Sequence, residues 1–336
     1  LGSERSQLML VFVLRRVLIS IPVLIASTIV TFIIVKLSGD PLTYLKQRQP
    51  QPSKVFIQAE EHRFWLDRSW PSQYWHWISN VVFHWNWGPE LHSATNVRTD
   101  VFSALWVTAR LVIVSVLIAL VLAVITGVIS AVRQYSVLDY STTFLGFIFL
   151  SMPTFWFAIL LKQGGVWFNE HTHTQTFSTI GERSIPITDH SFWGSLKDIA
   201  GHMVLPVIVL GLVGYAAWSR FTRASMLEVL NSDYVRLARS KGLSPRTVLV
   251  KHALRTALIP LATVTALDIA ALLGGAIVTE TVFQWHGMGY LFLTAVTGID
   301  FNIMLGWLLV AAFIVIMFNL IADLLYGVLD PRIRHA

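Results

Sequence analysis

The chain has no cysteine. That absence excludes a disulfide framework, thiolate catalysis and any cysteine-ligated metal. Charge is scarce as well: Asp, Glu, Lys and Arg make up only 13% of residues, against about 25% in an ordinary soluble domain. With 54% hydrophobic residues over 336 positions and a mean hydropathy of +0.62, there is too little polar surface to cover a water-soluble globule. Lipid must therefore be part of the solvent. The sequence contains no Gly-x-x-x-x-Gly-Lys-Ser/Thr phosphate loop and no visible nucleophile–base constellation, so it points to no ATP hydrolysis or other catalysis in this chain. The net charge of +6 is not a nucleic-acid signal, because the positions of the basic residues explain it better.

What is present is a set of six apolar runs: residues 8–37, 111–132, 141–161, 203–219, 257–279 and 301–322. A membrane helix needs about 20 apolar residues, and lipid offers the backbone no hydrogen-bond partners, so such runs must be helical. The expected fold is an all-α membrane protein with six transmembrane helices. The first run has a basic start but is too long for a signal peptide and lacks a small-residue cleavage site, so it reads as a retained helix.

Lysine and arginine placement predicts the orientation. Residues 220–255 carry eight: Arg220, Arg223, Arg236, Arg239, Lys241, Arg246, Lys251 and Arg255. Residues 281–300 carry none, and residues 163–202 carry only Arg183 and Lys197. The segment between the fourth and fifth spans is thus expected in the cytoplasm. An even span count puts both termini there too, in agreement with Arg15, Arg16, Arg332 and Arg334. The expected divisions are an N-terminal end and first span (1–37), an extracytoplasmic segment (38–103), and a five-helix core (104–336) that includes the cytoplasmic loop 220–257.

The extracytoplasmic segment is rich in tryptophan: Trp65, Trp70, Trp75, Trp77, Trp85 and Trp87 are six of the chain's 13. Apolar positions 74, 77, 78, 81, 82 and 85 have helical spacing, and Pro71 suits a first turn. Two compatible readings follow: an interfacial helix with indoles at headgroup level, and a docking face for an external partner.

The basic loop holds a short amphipathic helix. Ser232 or Asp233 suits its N-cap and Gly242 its C′ position. Two to three turns cannot stand alone in water, so this helix must pack against something. Residue chemistry alone leaves open a docking helix for a soluble partner and a basic helix lying on anionic headgroups.

Asp233-Tyr234-Val235, Ala238-Arg239, Lys241-Gly242-Leu243, then His252-Ala253-Leu254-Arg255, Ala257 and Pro260 resemble the cytoplasmic loop of ABC-importer permease subunits, and specifically the oligopeptide/dipeptide (and nickel) branch. Gly39-Asp40-Pro41, the stretch Leu273 to Ala276, Glu280 to Phe283, and Asp330 to Arg334 resemble further family signatures. Two departures stand out. Arg236-Leu237-Ala238 replaces the general Glu-Ala-Ala opening, and His286 and Tyr290 occupy places where the family usually has Pro and Arg. The resemblance implies a type I importer permease of the bacterial inner membrane, paired with a second homologous permease and fed by an extracytoplasmic binding protein. Two ATPase subunits, or one fused ATPase, would hold ATP and Mg, with no cofactor in this chain. Asp233, Tyr234, Val235, Ala238, Arg239, Lys241, Gly242 and Leu243 would couple to the ATPase, and the spans would work by alternating access. A permease for nickel or another small solute, and a stand-alone channel or ion-coupled transporter, are the alternatives.

An ionisable group at mid-membrane costs about 2.5 to 3.5 kcal/mol on insertion scales. Asp268 lies mid-run and is a candidate pathway acid for a peptide amine, or else a carboxylate paired with another helix. Glu280, near the outer end, reads as a structural hydrogen bond or a gate contact. Gly274 and Gly275 would permit close packing or a kink near the pathway. Asp323 reads as an interfacial acid. His171, His173 and His190 form a weak metal signal and read as exposed loop.

Overall fold

The computed structural model describes residues 2–91, 95–185 and 191–329, with side-chain environments described from residue 13 to residue 325. His190 and the segment from Asp330 to Arg334 lie outside the described residues. The described chain is helical apart from turns and one isolated antiparallel bridge, Pro89 with Asn96. The helices are α1 (Gly2–Leu37), α2 (Thr43–Lys46), α3 (Lys54–Arg63), α4 (Trp70–His84), α5 (Val97–Val132), α6 (Val137–Ser151), α7 (Thr154–Thr172), α8 (Phe192–Leu230), α9 (Asp233–Ser240), α10 (Pro245–Thr247), α11 (Arg255–Leu273), α12 (Ile277–Phe283), α13 (Met288–Gly298) and α14 (Phe301–Leu329). A π-helical segment, Val248–Leu254, joins α10 to α11.

Among the described residues five stretches are long and apolar enough to cross a bilayer: Val13–Leu37, Val97–Val132, Phe192–Leu230, Pro245–Leu273 and Phe301–Leu325. The pair α6–α7, bent by 103°, makes six when counted as one broken span. The third span is therefore not the straight helix expected over 141–161. Pro153 cannot donate to the helix, and it forces Met152 before it into extended backbone (φ −76°, ψ 129°). The fifth span ends at Leu273 instead of running to residue 279, because Gly275 (φ 129°) turns the chain. The second span begins earlier than expected, at Val97, where the Asn96 side chain accepts from the Arg98 amide. The fourth extends past Arg220 to Leu230. Its arginines find partners: Arg223 makes a two-pronged pair with the buried Asp139 on α6 (2.7 and 2.8 Å), and the Arg220 guanidinium lies 4.2 Å from the Phe147 ring centroid.

Between helices in lipid there is little hydrophobic drive, so packing depends on how closely backbones can approach. The most extensive helix contact, α5 with α8, shows this. Ser115, Ala119, Ala123, Gly127 and Ala131 recur every fourth residue of α5 and are all buried. A Cβ on Gly127 would lie 2.7 Å from the Ser219 carbonyl oxygen and 2.7 Å from the Thr222 side chain. Leu117, Leu122 and Ile125 remain exposed on the same helix, left to lipid or to partner chains. α11 packs on α14, and α1 leans on α14 with an Arg16–Asp323 ion pair of 3.1 Å.

The tryptophan-rich helix α4 divides its faces. Gln73, Trp77 and Val81 are buried, with Tyr74 bonded to Thr28 of α1 at 3.0 Å and Trp77 stacked on Phe32. Trp70, Trp75, Phe83 and Trp85 are exposed. Trp87 belongs to the core beside Phe102.

Candidate functional site

α9 follows α8 after a two-residue turn. Its N-cap Ser232 is extended (φ −71°, ψ 155°) and donates its hydroxyl to the Val229 carbonyl at 2.6 Å. A helix this short needs a tertiary contact. Val235 and Ala238 supply it: both are buried against Ala131, Met226, Val248, Ala253 and Ala257. One face of α9 is thus fixed to the ends of α5 and α8 and to the segment leading into α11.

The other face is open. Tyr234 and Leu237 are 41% and 56% exposed, and Arg236, Arg239 and Lys241 flank them in solvent. Asp233 pairs with Arg236 at 2.8 Å, an exposed pair that adds little stability. Gly242 has φ 76° and its amide donates to the Arg239 carbonyl at 3.0 Å. A Cβ there would meet nothing within 4 Å, so the glycine answers to backbone conformation and not to crowding. Leu243 is 39% exposed. Ser244 then starts the next helix by accepting from the Thr247 amide at 3.3 Å, with Pro245 in its first turn.

Of the eight expected coupling residues, six therefore stand on the open side, while Val235 and Ala238 face their own chain. Leu237 and Arg236, outside those eight, share the open side. The signal was there: Tyr234 and Leu237 lie three apart on one face, Val235 and Ala238 three apart on the other.

The expected pathway residues separate into two settings. Asp268 of α11 is half-buried, and its Oδ2 accepts from Trp218 Nε1 of α8 at 2.7 Å. It therefore has a helix partner inside the chain. Glu280 is fully buried. Its Oε1 accepts from Thr108 Oγ1 at 2.6 Å, and its Oε2 accepts from the amides of Gly289 (2.7 Å) and Tyr290 (3.0 Å). Thr108 Oγ1 in turn accepts from the Met288 amide at 2.7 Å, and Trp307 Nε1 donates to the Met288 carbonyl at 2.8 Å. A Cβ on Gly287 would collide with Thr108 Oγ1 and Glu280 Oε1, and one on Gly275 would lie 2.6 Å from the Gly289 amide nitrogen. The cluster thus ties α12 and α13 to α5 and α14, and Glu280 is enclosed by it. Gly274 is partly exposed at the end of α11.

The segment after α7 closes over α12. Gly181 donates to the Phe283 carbonyl at 2.8 Å, Lys162 Nζ to the Val282 carbonyl at 2.7 Å, and Glu182 Oε2 meets His286 Nδ1 at 2.9 Å. His171 lies tilted against the Trp167 ring, and His173 ends α7 in left-handed backbone. Among the described residues no three His, Asp or Glu side chains form a metal-holding group.

Two family models match the chain. Residues 9–112 match the family model described as binding-protein-dependent transport system membrane component, N-terminal, and residues 123–335 match the binding-protein-dependent transport system inner membrane component. The oligopeptide transport system permease protein AppB of Bacillus subtilis is 35% identical over 97% of this chain and 100% of its own. OppB, the oligopeptide permease protein of Mycobacterium bovis, is 36% identical over 96% of this chain and 98% of its own. DppB, the dipeptide permease protein of Escherichia coli, is 36% identical over 97% and 99%. Among solved structures, an inward-facing form of the MetNI methionine ABC transporter shares the fold, with a TM-score of 0.52, 16% identity, and coverage of 69% of this chain and 97% of that one.

Proposed function

Because the chain belongs to the family of binding-protein-dependent transport system inner membrane components, we propose that it forms one half of the translocation pathway of an ATP-driven importer for peptides. It is a multi-pass protein of the bacterial inner membrane. The observation that carries the peptide reading is near-full-length identity of 35–36% to proteins named as oligopeptide and dipeptide permeases. In this reading a second permease completes the pathway, an extracytoplasmic binding protein delivers the peptide, and separate ATPase chains bind ATP and Mg. In this reading residues 220–257 face the cytoplasm, the side that their eight basic residues favour.

The proposed coupling runs through α9. Its open face, with Tyr234 and Leu237, seats in the ATPase. Its closed face, Val235 and Ala238, bears on Val248, Ala253 and Ala257, so a displacement of α9 reaches α11 by packed contact. Interiors packed this closely transmit strain, and a rigid shift of α11 is what alternating access needs.

The test is uptake by the whole transporter in proteoliposomes with its binding protein. ATP-dependent accumulation of labelled peptide, with no accumulation of nickel, is expected; the reverse pattern would overturn the peptide reading. Orientation is tested separately. The chain lacks cysteine, so a single thiol at Ser244→Cys should resist impermeant reagents from outside intact cells, and its labelling there would refute the assignment.

A further inference from the structure

Beside α1, α4 and the start of α14 lies a half-open cleft of about 50 Å³, walled by Phe32, Trp77 and Phe301 and carrying Lys36, Gln73 and Asp300. That is room for a small polar group and not for a whole drug-sized ligand. Three polar groups line the cleft.

Lys36 makes no ion pair among the described residues. Its ammonium lies 4.7 Å from the Phe301 ring centroid and 5.7 Å from that of Phe32. A cation in such a setting, with its hydration reduced, favours an oxyanion. Gln73 is only 6% exposed, and its Oε1 has no hydrogen-bond partner. Its Nε2 donates to the Arg68 carbonyl at 2.7 Å and the Leu66 carbonyl at 3.4 Å, which fixes the amide the right way round. The orphan is thus an acceptor, and a buried acceptor calls for a donor. Asp300 is 2% exposed; its carboxylate accepts from the amides of Leu91 (2.6 Å) and Ile303 (3.1 Å) and sets a negative charge on the same cleft. One cation, one anion and one unmet acceptor suit a ligand with an oxyanion and an N–H-bearing cation.

The position of the cleft indicates the source of such a ligand. Lys36 is in the last turn of α1, where a membrane helix meets the headgroup layer. Ile33, Ile34 and Leu37 around it are exposed and offer a track for acyl chains. We propose that this cleft binds the headgroup of an aminophospholipid of the phosphatidylethanolamine type, its phosphate on Lys36 and its ammonium toward Gln73 Oε1 and Asp300. The site is independent of the transported solute.

The test uses the assembled transporter, stripped of lipid in detergent and then offered vesicles of phosphatidylethanolamine, phosphatidylcholine or phosphatidylglycerol. Retained lipid is counted by native mass spectrometry. Phosphatidylcholine has no N–H to donate and phosphatidylglycerol has no cation, so phosphatidylethanolamine should be retained with roughly tenfold preference over either. Lys36→Met should lose the preference and Lys36→Arg should keep it. Equal retention of the three lipids, or a Lys36→Met complex that retains phosphatidylethanolamine as the wild type does, would overturn the proposal. Displacement of the lipid by excess glycylglycine would assign the cleft to a soluble zwitterion instead and also overturn it. A photoactivatable phosphatidylethanolamine keeps the proposal testable if Lys36→Met does not assemble. On the wild-type chain its cross-links should map to residues 32–41 or 300–305, and their absence from both would refute it.

Discussion

The cluster around Glu280 and the loop around α9 handle charge in opposite ways. At Glu280 the chain buries one acid completely and surrounds it with a hydroxyl and two backbone amides from other elements. At α9 it leaves the charged groups Asp233, Arg236, Arg239 and Lys241 in water and buries only Val235 and Ala238. The first arrangement is stiff, because every partner of a buried carboxylate is costly to lose. The second is a light contact on an otherwise open helix, suited to a surface that must be gripped by another chain and moved. Stability should therefore concentrate at Glu280 and coupling at α9.

The sharpest way to break this contrast is Glu280→Ala. It would leave Thr108, Gly289 and Tyr290 without their acceptor, and each buried unsatisfied donor costs about 1–3 kcal/mol, so a loss of about 3–9 kcal/mol is expected. The transporter should accumulate poorly and melt far below the wild type. A melting temperature equal to the wild type would show that the cluster is not a structural tie.

Gly242→Val should act the other way. A β-branched residue at φ 76° carries a backbone cost of about 1–2 kcal/mol, felt where the open face of α9 ends. Assembly should survive, while ATP hydrolysis continues without uptake. Gly242→Asn, which tolerates left-handed backbone, should retain more coupling. Normal uptake per assembled Gly242→Val complex would remove Gly242 from the coupling surface.

Asp268→Asn lies between the two regions in depth and in size of effect. Asparagine can still accept from Trp218 Nε1, but without charge assistance, so about 1 kcal/mol of stability should be lost. Uptake per complex should be unchanged if the Trp218 bond is its whole role. A selective fall in uptake of peptides with free amino termini, at unchanged melting temperature, would make Asp268 a pathway group.

Sequence shows unequal parts of this fold for physical reasons. The six apolar runs are legible because lipid imposes length and apolarity on every span. The break at Pro153 does not register in such a reading, since a bent span is as apolar as a straight one, whereas Gly274 and Gly275 mark theirs by residue type. The small stripe Ser115, Ala119, Ala123, Gly127 and Ala131 is written at fourfold spacing, yet an average over hydrophobicity passes over it. In the basic loop, local spacing reveals a helix from Asp233 but not which face its own chain covers. The partners of Glu280 are harder still, because Thr108 is 172 residues away and nothing local announces the contact. The cleft at Lys36 likewise assembles residues from three distant segments.

The smallest expected effect concerns the latch between the segment after α7 and the α12–α13 turn. Burial works against the charge of Glu182, but its hydrogen bond with His286, backbone amides and the His286 charge outweigh this and hold the carboxyl below its usual value. Tyr290 sits edge-on to the His286 ring at 4.8 Å, and Arg110 and Arg183 are the basic groups nearby. A carboxyl with a depressed folded pKa contributes stability that is fully present above its unfolded pKa and is lost as pH falls through the folded value. The contribution should therefore be intact at neutral pH and fade below about pH 4. Glu182 is partly solvated, so the loss should be smaller than that of any variant above. Glu182→Gln should lessen the fall in melting temperature between pH 5 and pH 3, and His286→Ala should do the same. If both variants keep the wild-type dependence between pH 5 and pH 3, the latch contributes nothing to holding this segment over α12.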